Sequence, residues 1–300
     1  MLKSKTCSDF CKKKPIAVKN KTCLTVRFFS GKNYKMCLSL KEKIILLADK
    51  YETPEFLQKD PSQFMHKFLP QNGGSVRDAE VVAFLSANLA FGRRDQILSH
   101  IQIILDKIKE SKKSPAQWIL DGDYEKIFDE SKKSFYRMYT FFDMKNFFRN
   151  LQIFLTQKET LGDFFKEKWE NSIKNIQNKE EFFLHSVIAE SFCGECALIC
   201  RSKNGAAKKL NMFLRWMVRE NSPVDLGLWK WYDKNKLLIP LDTHVMQEAV
   251  KFSLIEKTSS GKIPSANLKT AVALSKKMSE YFPGDPARGD FALFGLGVDN

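Results

Sequence analysis

KKLNMFLRWMVR (residues 208–219), a linker, and LLIPLDTHVMQEAV (residues 237–250) form the stretch on which the reading of this chain turns. In the second segment Asp242 follows Ile239, Pro240 and Leu241 and opens an apolar-periodic run. A helix N-terminus is expected there, because an Asp side chain can accept from the orphan backbone N–H groups of the first turn. The helix dipole holds such a carboxylate as an anion, and the cap geometry aims it. Beside a lysine-bearing helix, a fixed anion can stabilise a developing sugar cation while an amine attacks it. A plain helix cap explains the same residue without any chemistry, and both readings stand at this level.

The first segment is a helix by period. At about 100° per residue, Lys208, Asn211, Arg215 and Arg219 share one polar stripe, while Leu210, Phe213, Leu214, Trp216 and Met217 cover the rest. The stripe faces either solvent or a polar element or cleft. Lys209 projects between Phe213 and Trp216, where an amine is desolvated or snorkels.

Outward from this stretch the pattern stays helical. Residues 40–51 (LKEKIILLADKY), 78–92, 97–108, 141–155, 161–169, 181–200, 208–219, 241–254, 266–281 and 287–296 carry apolar residues at helical spacing. No segment alternates with period two for long enough to predict a strand. The expected fold class is all-α, with the helices packed on one another around a shared core.

Composition sets the outer limits. The 300 residues are 43% hydrophobic, enough for a sizeable core, and no apolar run approaches the ~18 residues of a membrane span. The basic N-terminus lacks a following apolar segment, so no secretory signal is expected and a cytoplasmic location follows. The formal charge of +14 points to an anionic partner. Residues 1–40, however, hold ten Lys/Arg against the single acid Asp9, and the other 260 hold 39 basic against 34 acidic groups. Residues 1–39 therefore read as a basic, disordered tail that strengthens nonspecific nucleic-acid binding, and residues 40–300 as a mildly basic folded region.

Of the seven cysteines, Cys193, Cys196 and Cys200 form a C-x-x-C-x-x-x-C triplet inside ESFCGECALIC (residues 190–200). Without a fourth ligand nearby, these read as one apolar face of a continuing helix rather than as a metal site. No metal and no cofactor is expected.

The segments AAKKLNMFLRWMVR (206–219), VDLGLW (224–229), LIPLDTHV (238–245) and DPARGDFALFGLGV (285–298) resemble an uncharacterised bacterial family, domain of unknown function 2400. RDAEVVAFLSANLAFGRRDQI (77–97) and SFYRMYTFFDM (134–144) extend that likeness to roughly residues 40–300. PLDTHV, with the lysine-rich helix start upstream, is also similar to the helix-hairpin-helix DNA glycosylase superfamily. That resemblance implies a two-lobed fold with the active site between the lobes, and an N-glycosylase, with or without lyase activity, in base excision repair. The partner would be double-stranded DNA with a damaged base, bound by a monomer with no membrane contact.

By the same resemblance Asp242 is the catalytic carboxylate and Lys208 the nucleophilic lysine, with Lys209 as the alternative. The 34-residue gap between Lys208 and Asp242 resembles the spacing in archaeal 8-oxoguanine glycosylases. SANLAFGRR (86–94) resembles the segment whose amide fills the gap left by a flipped base, which assigns that place to Asn88 and phosphate contacts to Arg93 and Arg94. A buried amide capping a neighbouring helix is the competing reading of Asn88. Arg137, between Tyr136 and Tyr139, belongs to an aromatic-basic cluster suited to stacking on a base or to the core. RSKNGAAKK (201–209) departs from the superfamily's Gly-x-Gly hairpin, with Gly205 as its one glycine. Arg201 and Lys203 could replace that contact by charge, and Arg215 joins them as a DNA contact. His244 reads as a first-turn helix residue and Asp290 as one that caps or orients the last helix. A non-catalytic helical nucleic-acid-binding protein is the alternative to an enzyme.

Overall fold

Helix 76–89 has no polar face to turn outward, and the rest of the molecule is built around it. In the computed structural model, which describes residues 22–27, 33–174 and 176–299, every residue from Asp78 to Leu89 is buried. The helices are α1 (Leu40–Tyr51), α2 (Pro54–Leu57), α3 (Gln63–His66), α4 (Val76–Leu89), α5 (Arg94–Glu110), α6 (Pro115–Leu120) and α7 (Phe141–Gln157). They continue with α8 (Leu161–Ile173), α9 (Leu184–Ser191), α10 (Lys208–Val218), α11 (Thr243–Lys251), α12 (Leu268–Tyr281) and α13 (Gly289–Asp299). The fold is mostly helical, in line with the expected all-α class. Among the described residues no helix is long and apolar enough to cross a membrane.

Two hairpins correct the expectation that no strands occur. β1 (Thr22–Arg27) pairs antiparallel with β2 (Asn33–Leu38), and β3 (Ser134–Tyr136) with β4 (Tyr139–Thr140). The first hairpin lies within the stretch read as a disordered tail, whose residues 1–21 and 28–32 fall outside the described residues. TCLTVR offers three β-branched residues, Thr22, Thr25 and Val26, without strict alternation and over only six residues, too weak a signal to detect unaided. Met1–Ile44 and Ile45–Asn300 form separate units, and α4 with everything packed around it belongs to the second.

Around α4 pack α3, α5, α6, α8 and α10. Phe84, on α4, meets Phe213 of α10 edge-on at 4.8 Å between ring centroids and stacks with Phe147 of α7 at 5.6 Å. Such aromatic pairs add about 0.5–1.5 kcal/mol beyond the area they bury. One buried carboxylate fastens this layer: Glu80 accepts from the Trp229 indole at 2.7 Å and from the Gly162 backbone N–H at 3.0 Å. Burial pushes the Glu80 carboxyl up to about 7 against both hydrogen bonds. A Cβ at Gly162 would lie 2.7 Å from Glu80 Oε1, so only glycine lets α8 begin against this group.

Caps set many of the helix starts. Thr140 and Asp143 form a capping box at α7, and Ser75, Ser114, Thr160 and Asn267 each accept from a first-turn N–H. Two stretches depart from their expected form. The helix expected over residues 181–200 is confined to Leu184–Ser191, and Gly194 turns the chain with φ of 67°. Cys193 is therefore exposed while Cys196 is buried, and the three cysteines do not share a helix face. Among the described residues no three His, Cys, Asp or Glu side chains group as a metal site. The linker after residue 219 is a buried strap: Val224, Trp229 and Tyr232 are in the core, and the Leu226 and Trp229 N–H groups donate to the Trp216 and Met217 carbonyls.

Candidate functional site

Asp242 stands at the N-cap of α11 with φ of −130°, and its Oδ1 accepts from the Val245 N–H at 2.8 Å. Its other oxygen lies 2.8 Å from Lys208 Nζ, at the first position of α10. Two helix starts 34 residues apart are thus brought together, with an anion and an ammonium facing each other. The pair is partly exposed, 32% for the Lys208 side chain and 16% for that of Asp242. It borders a cavity of about 580 Å³ that Lys209, Asp290, Arg94 and Phe91 also line. That volume is within the about 300–1,000 Å³ range of small-molecule sites.

Below the pair, the polar stripe of α10 turns inward rather than to solvent. Arg215 and Arg219 are 3% and 2% exposed. Arg215 pairs with Asp225 and Asp290, and Arg219 with Asp225, Asp285 and Glu52. Burial alone would lower the Arg219 guanidinium, but Asp225, Asp285 and Glu52 more than offset it and hold the charge firmly. Asp290, in the first turn of α13, ties that helix to α10 through Arg215. Burial pushes the Asp290 carboxyl up to about 6, Arg215 pulls against this, and the Asp242 charge adds to it.

Lys209 lines the same cavity but is held by other partners. Its Nζ donates to the Leu198 carbonyl, to the Asn88 carbonyl at 3.2 Å and to the Tyr139 hydroxyl at 3.0 Å. Three oxygens can take every proton of an ammonium, yet burial pulls the amine down to about 8. In the unfolded chain it titrates near 10.5, so between pH 8 and 10.5 the unfolded state binds the extra proton and stability rises with pH. Wild type should therefore gain on Lys209→Met by up to about 3 kcal/mol across that window in urea denaturation. A difference between the two proteins that stays flat with pH would show an amine that is not depressed.

Several residues expected at a DNA surface are not on the surface. Asn88 is 0% exposed and its side-chain N–H donates to the Phe84 carbonyl at 2.9 Å, one turn back on α4. It is a buried amide and cannot fill a gap in a base stack as placed. Arg215 is spent on the internal ion network. Tyr136 and Tyr139 are each 3% exposed and belong to the core, with the Tyr136 hydroxyl donating to the Phe91 carbonyl at 2.6 Å. The apolar period of residues 77–91 runs on all sides of the helix, so it gave no clue to the depth of Asn88.

Others remain accessible. Arg93 is exposed and pairs with Asp95 at 3.0 Å; Arg94 lies 5.3 Å over the Phe294 ring beside the cavity. Arg137 sits at the tip of the β3–β4 hairpin with φ of 53°, its guanidinium 4.9 Å over Phe91. Arg201 and Lys203 are exposed on the loop before α10. In that loop the Gly205 N–H donates to the Ser202 carbonyl, and Gly205 bridges to Asn267. His244 is an exposed first-turn residue of α11 on the cavity wall.

Sequence reasoning missed Phe91 and Asp60. Phe91 is 41% exposed at the cavity, under the Arg137 guanidinium, and Met138, next to Arg137 in the chain, is 60% exposed. Asp60 lines the same cavity, 6% exposed, and accepts from the Ser62 hydroxyl at 2.6 Å. An aromatic residue directly before Gly-Arg-Arg was the available signal for the first; nothing local marked the second.

No curated protein and no solved structure matches the chain. A family model does match, over residues 60–299, which takes in α4, the Lys208–Asp242 pair and the ion network beneath it apart from Glu52. On that match the chain belongs to the family described as Protein of unknown function (DUF2400).

Proposed function

We propose that this protein is a DNA N-glycosylase with lyase capacity that removes a damaged base by covalent catalysis. The carrying observation is the contact of Lys208 Nζ with Asp242 Oδ2 at 2.8 Å on the wall of a cavity of about 580 Å³. The reading takes the fold as two-lobed and helix-hairpin-helix glycosylase-like, with the α9–α10 connection in the hairpin's place. Because the glycosidic bond is inaccessible inside a duplex, the target nucleotide would be turned out of the stack into the cavity. Arg93, Arg94 and Arg137 would hold phosphates while the exposed Phe91, under Arg137, enters the space the base leaves.

In the reaction the C1′–N bond breaks and its electron pair leaves with the base. The Lys208 ammonium gives up a proton, which goes to the departing base, and the freed Nζ lone pair forms the bond to C1′. The C1′–O4′ bond then breaks with its electron pair on O4′, which takes a proton from the attached nitrogen, and Lys208 Nζ and C1′ are left joined as a Schiff base. Asp242, held as an anion by its cap, offsets the positive charge that develops on the sugar, as carboxylates do in glycoside hydrolysis. Lys208 is favoured over Lys209 because the Lys209 amine is occupied by three oxygens on its own side of α10.

Borohydride trapping tests this. Wild type, incubated with duplexes that carry an abasic site or one of a panel of base lesions, should give a covalent adduct after reduction. Lys208→Gln should give none, while Lys209→Met should keep it. If no substrate, the abasic site included, traps the wild type, the lyase reading is wrong. A non-catalytic nucleic-acid binder predicts salt-dependent affinity without any adduct.

A further inference from the structure

Asp60 stands on the wall of the cavity that Lys208 and Asp242 border, and the proposed chemistry does not use it. The residue lies between α2 and α3 and is 6% exposed. Its Oδ1 accepts from the Ser62 hydroxyl at 2.6 Å and from the Ser62 N–H at 3.0 Å, which takes up the lone pairs on that oxygen. Oδ2 accepts from nothing among the described residues, and, unlike the unpartnered Ser86 hydroxyl, it is not sealed inside the core. Burial would lower the Arg215 guanidinium, while Asp225, Asp290 and, from farther away, Asp60 raise it, so the Asp60 charge lies towards another group of the lining. No ion pair forms there: among the described residues Arg215 pairs with Asp225 and Asp290.

A carboxylate oxygen with both lone pairs open accepts two N–H groups side by side, and nothing else satisfies it. A base turned out of a duplex is read on its Watson–Crick edge. On that edge guanine sets a ring N–H beside an exocyclic amine, both of them donors. Adenine and cytosine set the amine beside a ring nitrogen with a lone pair, and thymine flanks its single N–H with two carbonyls. Each of these three brings an acceptor against the carboxylate, which repels it. Aromatic side chains connect this group to the reacting end of the cavity. Lys208 Nζ lies 6.0 Å over the Phe294 ring, Phe294 meets Phe56 at 6.2 Å, and Phe56 shares the segment before α3 with Asp60. Phe56 and Phe294 both line the cavity and offer ring faces or edges to a flat heterocycle.

We infer that Asp60 determines which base this cavity takes, and that the base is of guanine type, with its ring N–H and exocyclic amine both donated to Asp60 Oδ2. The inference rests on the proposed reading in that a base must enter the cavity, but not on the covalent step. Adduct formation at an abasic site involves no base, so failure of that experiment and failure of this one are separate results.

The test is isothermal titration of the full chain with deoxyguanosine, deoxyinosine and deoxyadenosine. Deoxyguanosine should bind tightest, deoxyinosine, which lacks the amine, at least about tenfold more weakly, and deoxyadenosine more weakly still, because a site built around a donor rejects the analogue without it. Asp60→Asn keeps an oxygen for the two Ser62 contacts and puts an amide N–H₂ in place of Oδ2. It should lose at least about tenfold in affinity for deoxyguanosine and bring the three nucleosides close to equal. Ala266→Trp, an exposed change on the cavity wall, should weaken all three and so place the binding in this cavity. Should Asp60→Asn fail to fold by circular dichroism, the wild-type order together with Ala266→Trp decides. No binding to wild type, equal affinity for the three nucleosides, a preference that survives in folded Asp60→Asn, or affinities unchanged in Ala266→Trp would each overturn the inference.

Discussion

Asp242→Asn is expected to keep its fold and its DNA affinity and to lose about a thousandfold or more in single-turnover base release. Asn caps a helix about as well as Asp, so the bond to the Val245 N–H survives and α11 keeps its start. What disappears is the negative charge facing Lys208 across 2.8 Å. Removing one preorganised electrostatic group from an active site costs about 10²–10³ in rate, and a full charge facing a cationic sugar belongs at or above the top of that range. Asp242→Ala separates the two roles: it removes cap and charge together and should add about 0.5–2 kcal/mol of destabilisation to the same kinetic loss. A protein that only binds nucleic acid would show no rate to lose. Wild-type turnover in Asp242→Asn, on any substrate the wild type processes, would end the catalytic reading of this residue.

How much of this could be read in the chain depended on whether local pattern decided the outcome. The helices at Leu40–Tyr51, Phe141–Gln157 and Lys208–Val218 have one apolar face and a clear stop or start, and their periods predicted them. The stripe of Lys208, Asn211, Arg215 and Arg219 was legible as a stripe, but not its destination. Period gives direction around a helix, whereas depth is set by what packs there. Asp225, on the strap close by in sequence, and Glu52, Asp285 and Asp290, far away in it, are the acids that pair with Arg215 and Arg219. For the same reason Asn88 was open to two readings: a helix apolar on every side has no exposed face from which to judge a polar residue. The helix expected through residues 192–200 failed for a local cause, since Gly194 adopts a left-handed turn that the apolar period on either side conceals. Asp242 could be read as a helix cap because cap, dipole and the preceding Ile-Pro-Leu all act within a few residues of it.

The largest stability effect should come from Asp225→Asn. The carboxylate is fully enclosed and lies between Arg215 and Arg219, whose side chains are themselves 3% and 2% exposed. Removing its charge leaves two buried guanidiniums sharing Asp290, Asp285 and Glu52, the last two at the network's outer side. Breaking a buried pair on one side costs about 3–5 kcal/mol, because the remaining charge stays desolvated without its partner. Against a total of about 5–15 kcal/mol that loss should move the urea midpoint far down, or unfold the protein outright. Arg219→Met together with Asp225→Asn should recover part of it, since the double variant removes the buried guanidinium that the single change leaves short of a partner, while Glu52 keeps Arg288. The same network reaches the cavity: α10 carries Lys208 at one end and Arg215 and Arg219 beyond it, and Arg215 holds Asp290 on α13. Asp225→Asn should therefore lower the adduct yield with Lys208 even at temperatures where the protein remains folded, without touching the cavity itself. A variant within about 1 kcal/mol of wild type in denaturation would mean that these charges are not the buried lock between α10 and the C-terminal helices.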